Sequence, residues 1–314
     1  MRIAILDDYQ NVARELADWD SLDAELHVFT EHIADEDELV RRLAGFDVVV
    51  AMRERTPFPE SVLSRLPDLR LLVTTGRRNA SIDVAAARRH GILVCGTGYV
   101  SHPTVELTWA LILAACRHLP TELRAMREGG WQSTLGVGLR GRTLGVLGLG
   151  RLGSQVAKIG QAFGMRTIAW SHNLTPARAA EHGVTAVSKD ELLASSDVLT
   201  VHLVLSERTR GLLGAAELAA MKPTALLVNT SRGPIVDTDA LVRALRDGVI
   251  AGAALDVYDE EPLPADHPLR SLPNAVLTPH IGFVTRDTYE VFYRDAVADI
   301  AAFRKGEPVR VLEP

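Results

Sequence analysis

The segment TLGVLGLGRLGSQVAKIGQAFGMRTIAWSHN (143–173) decides the fold. It opens on a short apolar run and turns through Gly148-Leu149-Gly150-Arg151-Leu152-Gly153. It then continues as a helical pattern that Gly164 closes, and re-enters a strand pattern at RTIAW (166–170). Strand, loop, helix and second strand fall within about 30 residues, the context in which a G-x-G-x-x-G spacing has physical meaning. One glycine serves the tight turn, one lets backbone amides approach a pyrophosphate, and one lets the helix pack closely on the strand. The helix amino terminus then faces the phosphates. A simple turn in a glycine-rich chain produces the same spacing, but the flanking strands and helix favour a dinucleotide site.

Working outward, strand patterns recur on both sides. Before the segment stand RIAIL (2–6), ELHVF (25–29), DVVVAM (47–52), LRLLVTT (69–75) and ILVCG (92–96); after it stand DVLTVHL (197–203), TALLVN (224–229), GAALDV (252–257) and AVLT (275–278). Helical patterns with readable ends separate them, such as the capping pair Ser188 and Glu191 before ELLAS, or Gly248 after DALVRALRD. Strands apolar along their whole length, alternating with helices, indicate parallel sheets covered on both faces. The expected class is α/β, with two doubly wound parallel-sheet domains: a Rossmann dinucleotide-binding domain (101–284) inserted in a flavodoxin-like substrate domain (1–100 plus 285–314). The apolar stretch TVELTWALILAACR (104–117) reads as a buried connector helix, and 285–304 as an amphipathic helix that docks back on the first domain.

Composition narrows the class. The chain has 314 residues, with 34 Lys+Arg against 40 Asp+Glu and a formal net charge of −6. It lacks the basic excess that neutralises a long nucleic acid, and none is expected as partner. Every apolar run is cut by charge, Gly or Pro well before about 18 residues, so no membrane span is expected. The opening RIAIL reads as a strand, and no secretory leader is expected. Cys95 and Cys116 are too few and too far apart for a thiolate zinc site or a disulfide framework; no metal is expected, and a reducing cytoplasm is the simplest location.

About 20 residues past the glycine loop, a carboxylate would normally hydrogen-bond the ribose 2′-hydroxyl of NAD. Here the chain has Trp170-Ser171-His172-Asn173. Ser171 does not repel a 2′-phosphate, and His172 or Arg151 attracts one, so the charge argument leans towards NADP. Ser171 and Asn173 equally serve as turn residues that tolerate either cofactor.

Three polar residues follow three successive strand patterns: Arg232 after TALLVN, Glu261 after GAALDV and His280 after AVLT. Each alone reads as a surface charge or structural residue. In a doubly wound sheet, however, ligands bind outside the carboxyl ends of the strands, so the three should converge at the nicotinamide end of a cofactor. Reduction of a ketone by hydride needs a proton donor, which an imidazole can be when a neighbouring carboxylate favours its charged form. A guanidinium can hold an α-keto carboxylate and polarise its carbonyl.

With its motifs LGLGRLG (147–153), VNTSRGPIVD (228–237), ALDVYDEEP (254–262) and TPHIG (278–282), nearly the whole chain resembles the D-isomer-specific 2-hydroxyacid dehydrogenase family. That family includes glyoxylate/hydroxypyruvate reductases and D-3-phosphoglycerate dehydrogenases. The resemblance implies Arg232 as the substrate-orienting arginine, Glu261 as the partner of the acid/base histidine and His280 as the proton donor. Glu261 argues against the similar formate dehydrogenases, which use Gln there. For NAD(P), the resemblance adds His202, Thr230, Asp256 and Gly282 to Gly148, Gly150, Arg151, Leu152, Gly153, Ser171, His172 and Asn173. It further implies a small 2-keto acid as substrate, a homodimer through the nucleotide domain, and a substrate-binding role for Arg53 and for Gly76, Arg77 and Arg78. The two arginines stand where many members carry small residues; they suit a more anionic substrate, or are solvated side chains. The alternative of another class is a non-catalytic dinucleotide-sensing scaffold resembling the C-terminal-binding corepressors. The chain's end 34 residues after His280, with no extra segment for partners, favours the enzyme.

Overall fold

The structure is a computed structural model that describes residues 1–314, and it divides into two compact units. Unit 1 comprises Met1–Val100 with Val284–Pro314, and unit 2 comprises Ser101–Phe283. The second boundary, between Phe283 and Val284, lies one residue before the one expected from the sequence.

Unit 1 holds β1 (Arg2–Ile5), β2 (Glu25–Val28), β3 (Val48–Ala51), β4 (Leu71–Thr74) and β5 (Leu93–Gly96) in the order β2-β1-β3-β4-β5. All pairings are parallel. This is the flavodoxin-like order, and its middle strands are buried at every position, as VVVA and LLVT require when helices cover both faces. The helix Arg286–Arg304 belongs to this unit and buries Tyr289, Phe292, Tyr293, Ala296 and Ile300, with Tyr293 edge-on to Trp19 at 6.0 Å. Burying a side chain such as Phe292 or Ile300 contributes about 1.5–3 kcal/mol.

Unit 2 holds β6 (Thr143–Leu147), β7 (Arg166–Trp170), β8 (Thr185–Ala186), β9 (Val198–Val201), β10 (Leu226–Asn229), β11 (Gly252–Leu255) and β12 (Ala275–Leu277), ordered β12-β11-β10-β9-β6-β7-β8 and parallel throughout. This is the Rossmann order with one more strand at the β12 edge. Two elements show what a sequence pattern leaves out. β8 is two residues long, too short to show any period. The helix Leu119–Arg127 buries none of its residues, so no packing demand marks it in the sequence.

The apolar helix His102–Cys116 packs Trp109, Leu111 and Ile112 into one core with Leu144 and Val146 of β6, Val228 of β10 and Ala254 of β11. It is apolar on most sides because it is covered on most sides. The two buried hydroxyls on it, Thr104 and Thr108, lie one turn apart and both reach the functional end of the sheet, as described below. Elsewhere the cap read at Ser188 is real, its side chain accepting from the Glu191 amide at 3.1 Å, and the Asp237 side chain caps a further helix by accepting from the Ala240 amide at 2.8 Å.

In unit 1 the chain's last residues extend the sheet. Val311 bridges Cys95 in the antiparallel sense, and Arg310 reaches Asp299 of the terminal helix with Nε at 3.0 Å from Oδ1. Asp299 is fully buried, and its Oδ2 has no partner. Burial outweighs the attraction of Arg310 and pushes the carboxyl up to about 7. A carboxyl that binds its proton more tightly when folded contributes stability that is full below its unfolded value and lost as pH rises through about 7. The parent's Tm should therefore fall by on the order of a few degrees between acidic and mildly alkaline buffer, and Asp299→Asn should flatten that slope. Differential scanning calorimetry at several pH values checks this; parallel curves for parent and variant would remove Asp299 as the cause.

Candidate active site

The glycine loop joins β6 to the helix Arg151–Ala162, with Gly150 as its N-cap. Gly148 has φ +104°, and its amide donates to the Trp170 carbonyl at 2.9 Å, tying the ends of β6 and β7 together. A Cβ at Gly153 would stand 2.1 Å from the Gly148 carbonyl oxygen, so only glycine lets helix and loop approach this closely. A Cβ at Gly150 would meet nothing within 4 Å and would project into open space at the helix's amino end. The first amide used inside the helix is that of Ser154, bonded to Gly150 at 2.9 Å, so the amides before it are left for an anion. The loop therefore fits a dinucleotide pyrophosphate. Arg151 is exposed and Leu152 half-buried at its rim.

Past β7, Ser171 is half-buried, while His172 and Asn173 are exposed. The His172 ring lies 4.9 Å from that of Trp170, and the Ser171 carbonyl closes a turn with the Leu174 amide at 3.1 Å. No acidic residue stands among 170–173. His202, after β9, has its backbone against Gly148, and its Nε2 lies 2.9 Å from the Thr200 hydroxyl. Burial drives its pKa down to about 4, so the ring is neutral near pH 7.

The chemistry-bearing residues lie at the carboxyl ends of the neighbouring strands β10, β11 and β12. His280 Nδ1 lies 2.5 Å from Glu261 Oε2, while Glu261 Oε1 accepts from the Tyr258 amide at 2.9 Å. His280 itself sits at φ 51°, a left-handed conformation that a non-glycine residue adopts only when its surroundings impose it. Asp256, buried at the end of β11, imposes it. Its carboxylate accepts from the Thr278 hydroxyl at 2.6 Å, the Ile281 amide at 2.8 Å and the Gly282 amide at 2.9 Å, clamping the turn on both sides of His280. Burial raises the Asp256 carboxyl's pKa, and those hydrogen bonds together with His280 oppose the rise. Tyr258 completes the clamp, its hydroxyl donating to the Thr278 carbonyl at 2.9 Å.

Arg232 follows β10, where the Asn229 side chain donates to its carbonyl at 2.9 Å and accepts from the Ser231 amide at 3.0 Å. A Cβ at Gly233 would lie 2.1 Å from the Tyr258 carbonyl carbon, so the Arg232 loop and the Glu261 loop touch backbone to backbone. The helix His102–Cys116 holds both flanks. Thr108 Oγ1 is 2.8 Å from Thr230 Oγ1, and Thr104 donates to the Gly282 carbonyl at 3.0 Å. Thr230 thus spends its hydroxyl on this helix. Thr104, Thr108 and Tyr258 as supports were missed in the sequence; the only signal was a pair of hydroxyls four residues apart in an apolar helix.

Unit 1 carries its own polar loops at the ends of β3 and β4. Arg53, at φ 52°, donates through its amide to Thr75 Oγ1 at 2.9 Å, and its guanidinium lies 5.5 Å from the Tyr99 ring centroid and 3.4 Å from the Glu54 carboxylate. Gly76 is buried beneath it, and Arg77 and Arg78 are exposed. No group of three or more His, Cys, Asp or Glu side chains is placed to hold a metal ion, and no helix is long and apolar enough to cross a membrane.

The arrangement has counterparts. Residues 109–282 match the NAD binding domain of the D-isomer specific 2-hydroxyacid dehydrogenases. A glyoxylate reductase of Aeropyrum pernix is 46% identical over 256 residues, 78% of this chain and 76% of that protein. A hydroxypyruvate reductase of Blautia hydrogenotrophica is 32% identical over 324 aligned positions, 99% of each chain. Among solved structures, a phosphoglycerate oxidoreductase from Vibrio cholerae superposes with a TM-score of 0.94 at 41% identity, covering 98% of this chain and 99% of that one. The chain belongs to the D-isomer specific 2-hydroxyacid dehydrogenase family. It is accordingly an oxidoreductase of the 2-hydroxyacid dehydrogenase class with a domain for a nicotinamide cofactor.

Proposed function

We propose that the protein interconverts small 2-oxo acids and D-2-hydroxy acids, with His280 as acid/base, Glu261 as its partner and Arg232 orienting the substrate. The observation that carries this reading is the 2.5 Å contact between His280 Nδ1 and Glu261 Oε2 on a turn fixed by a buried carboxylate. Glu261 holds Nδ1, which leaves Nε2 as the nitrogen that exchanges a proton with the substrate oxygen. Bound at the glycine loop, the nicotinamide cofactor supplies or accepts the hydride. Arg232 pairs with the substrate carboxylate in the bidentate fashion that suits a planar guanidinium, setting the carbonyl against the imidazole. Asp256 acts through His280 by holding its turn. Replacing His280 with Gln should lower kcat by about a hundredfold or more while leaving cofactor affinity nearly unchanged, because a transition-state proton donor is lost and the phosphate loop is untouched. Steady-state kinetics beside cofactor fluorescence titration measure both; undiminished kcat would end this assignment.

The same reading favours NADP over NAD, supported by the neutral Ser171 and the exposed His172 where a ribose-binding carboxylate would otherwise stand. Ser171→Asp should shift the NADP-to-NAD ratio of kcat/KM towards NAD by about 30- to 1000-fold, the effect of about 2–4 kcal/mol from a lost contact and a like-charge repulsion. Both cofactors are compared in parent and variant at low salt. A parent that already prefers NAD widely refutes the charge argument.

A homodimer through unit 2 belongs to this reading as well. The helix Leu119–Arg127 buries nothing, and apolar side chains continue beyond it, with Trp131 74% and Leu135 92% exposed. Large apolar side chains so grouped mark a surface that a second subunit covers. Light scattering should give twice the chain mass, and Trp131→Glu with Leu135→Glu should give the single chain mass; a monomeric parent contradicts the dimer.

A further inference from the structure

Two threonines on the helix His102–Cys116 fasten two of the loops that carry the chemistry-bearing residues of unit 2. Thr104 and Thr108 are four residues apart and so share one face of that helix. Thr108 is fully buried, and its hydroxyl donates to the Thr104 carbonyl one turn back at 2.7 Å. A hydroxyl has a single proton, so towards Thr230 Oγ1, 2.8 Å away, Thr108 can only accept. The direction of the relay is therefore fixed: Thr230 donates to Thr108, and Thr108 donates to Thr104. Thr230 is buried two residues before Arg232, so the relay ties the root of the arginine loop to the helix.

Thr104 serves the other loop. Its hydroxyl donates to the Gly282 carbonyl at 3.0 Å, while the Gly282 amide donates to Asp256 Oδ2 at 2.9 Å. Gly282 is closely gripped, because a Cβ there would stand 3.1 Å from Asp256 Oδ2 and 3.4 Å from Thr104 Cγ2. The next residue, Phe283, is buried, with its ring centroid 5.6 Å from that of His280 and the two planes at 81°. The His280 turn is thus fastened to the same helix as the Arg232 loop. That helix is held in place by Val105, Trp109, Leu111 and Ile112, which pack into a core with residues of β6, β10 and β11. A substrate that must meet a guanidinium and an imidazole at once depends on their spacing, and a misplacement of about 1 Å is enough to cost about a hundredfold in rate.

We infer that Thr104 and Thr108 are positioning residues that fix the spacing of the Arg232 loop against the His280 turn; this rests on the reductase reading above. The test uses the parent's best substrate among glyoxylate, pyruvate and hydroxypyruvate. The variants are Thr104→Val, Thr108→Val, the two combined, Thr104→Ser, Thr108→Ser, and Thr108→Val/Thr230→Val, in which neither of two partner hydroxyls is left orphaned. Valine keeps the shape of threonine and removes its hydrogen bonds. Each single valine variant should lower kcat/KM for the 2-oxo acid about tenfold, with cofactor affinity within about twofold of the parent's. The combined Thr104→Val/Thr108→Val should lose clearly less than the product of the single losses, because both fastenings serve one alignment. Thr108→Val/Thr230→Val should lose as much as Thr108→Val alone, and the serine variants should keep most of the parent's activity. Thr104→Val should also move the alkaline limb of the reduction profile to lower pH by about half a unit or more, because a loosened turn weakens the Glu261 contact that favours imidazolium. Thr108→Val should leave that limb in place. A merely structural role would lower Tm and leave kcat/KM and the pH limb unmoved. Parent-like kcat/KM in the valine variants, fully multiplicative losses, or serine variants as impaired as the valine ones overturn the inference, while a disabled His280→Gln keeps the reductase reading. A parent that turns over none of the three acids overturns both.

Discussion

The Asp256 carboxylate carries more of this molecule than any other single group. It is buried at the end of β11, where an isolated charge would cost several kcal/mol, and three donors from the turn after β12 offset that cost. Those bonds hold His280 in a left-handed conformation that no local preference of histidine would select. From there the imidazole meets Glu261, which is itself fixed by the Tyr258 amide. The contact between His280 and Glu261 thus exists because one buried carboxylate dictates the path of five residues.

Close backbone approach does the same for the other two parts of unit 2. Gly153 against Gly148 sets the amino end of a helix over the end of β6, and Gly233 against Tyr258 draws the Arg232 loop onto the Glu261 loop. In both places a methyl group would collide with a backbone carbonyl, so the geometry depends on the absence of a side chain. The helix His102–Cys116 then fastens the assembly from below with Thr108 and Thr104, two hydroxyls in an otherwise apolar core.

Unit 1 is organised by the same rule with different chemistry. Its polar loops are braced by Asn79 and Thr97, neutral side chains whose hydrogen bonds are all internal, which leaves the guanidinium groups of Arg77 and Arg78 facing solvent. Its terminal helix brings a buried aspartate against Arg310, making the chain's last residues part of the sheet.

Much of this was legible in the sequence. The fully apolar strand runs announced parallel sheets, because only strands covered on both faces need no polar side. The spacing of Gly148, Gly150 and Gly153 announced the dinucleotide loop, because the close approaches it makes are local in the chain. Arg232, Glu261 and His280 could be picked out because each follows a strand end. The sequence did not reveal β8, too short for a period, nor the helix Leu119–Arg127, which has no fully buried residue. Nor could it show that Asp256 clamps the turn of His280, that His202 is held neutral by burial, or that Thr230 is bonded to a helix 122 residues away. Periodicity and glycine spacing record contacts between residues near in the chain. Burial of a charge and the pairing of distant hydroxyls depend on which strands become neighbours, and only the tertiary structure decides that.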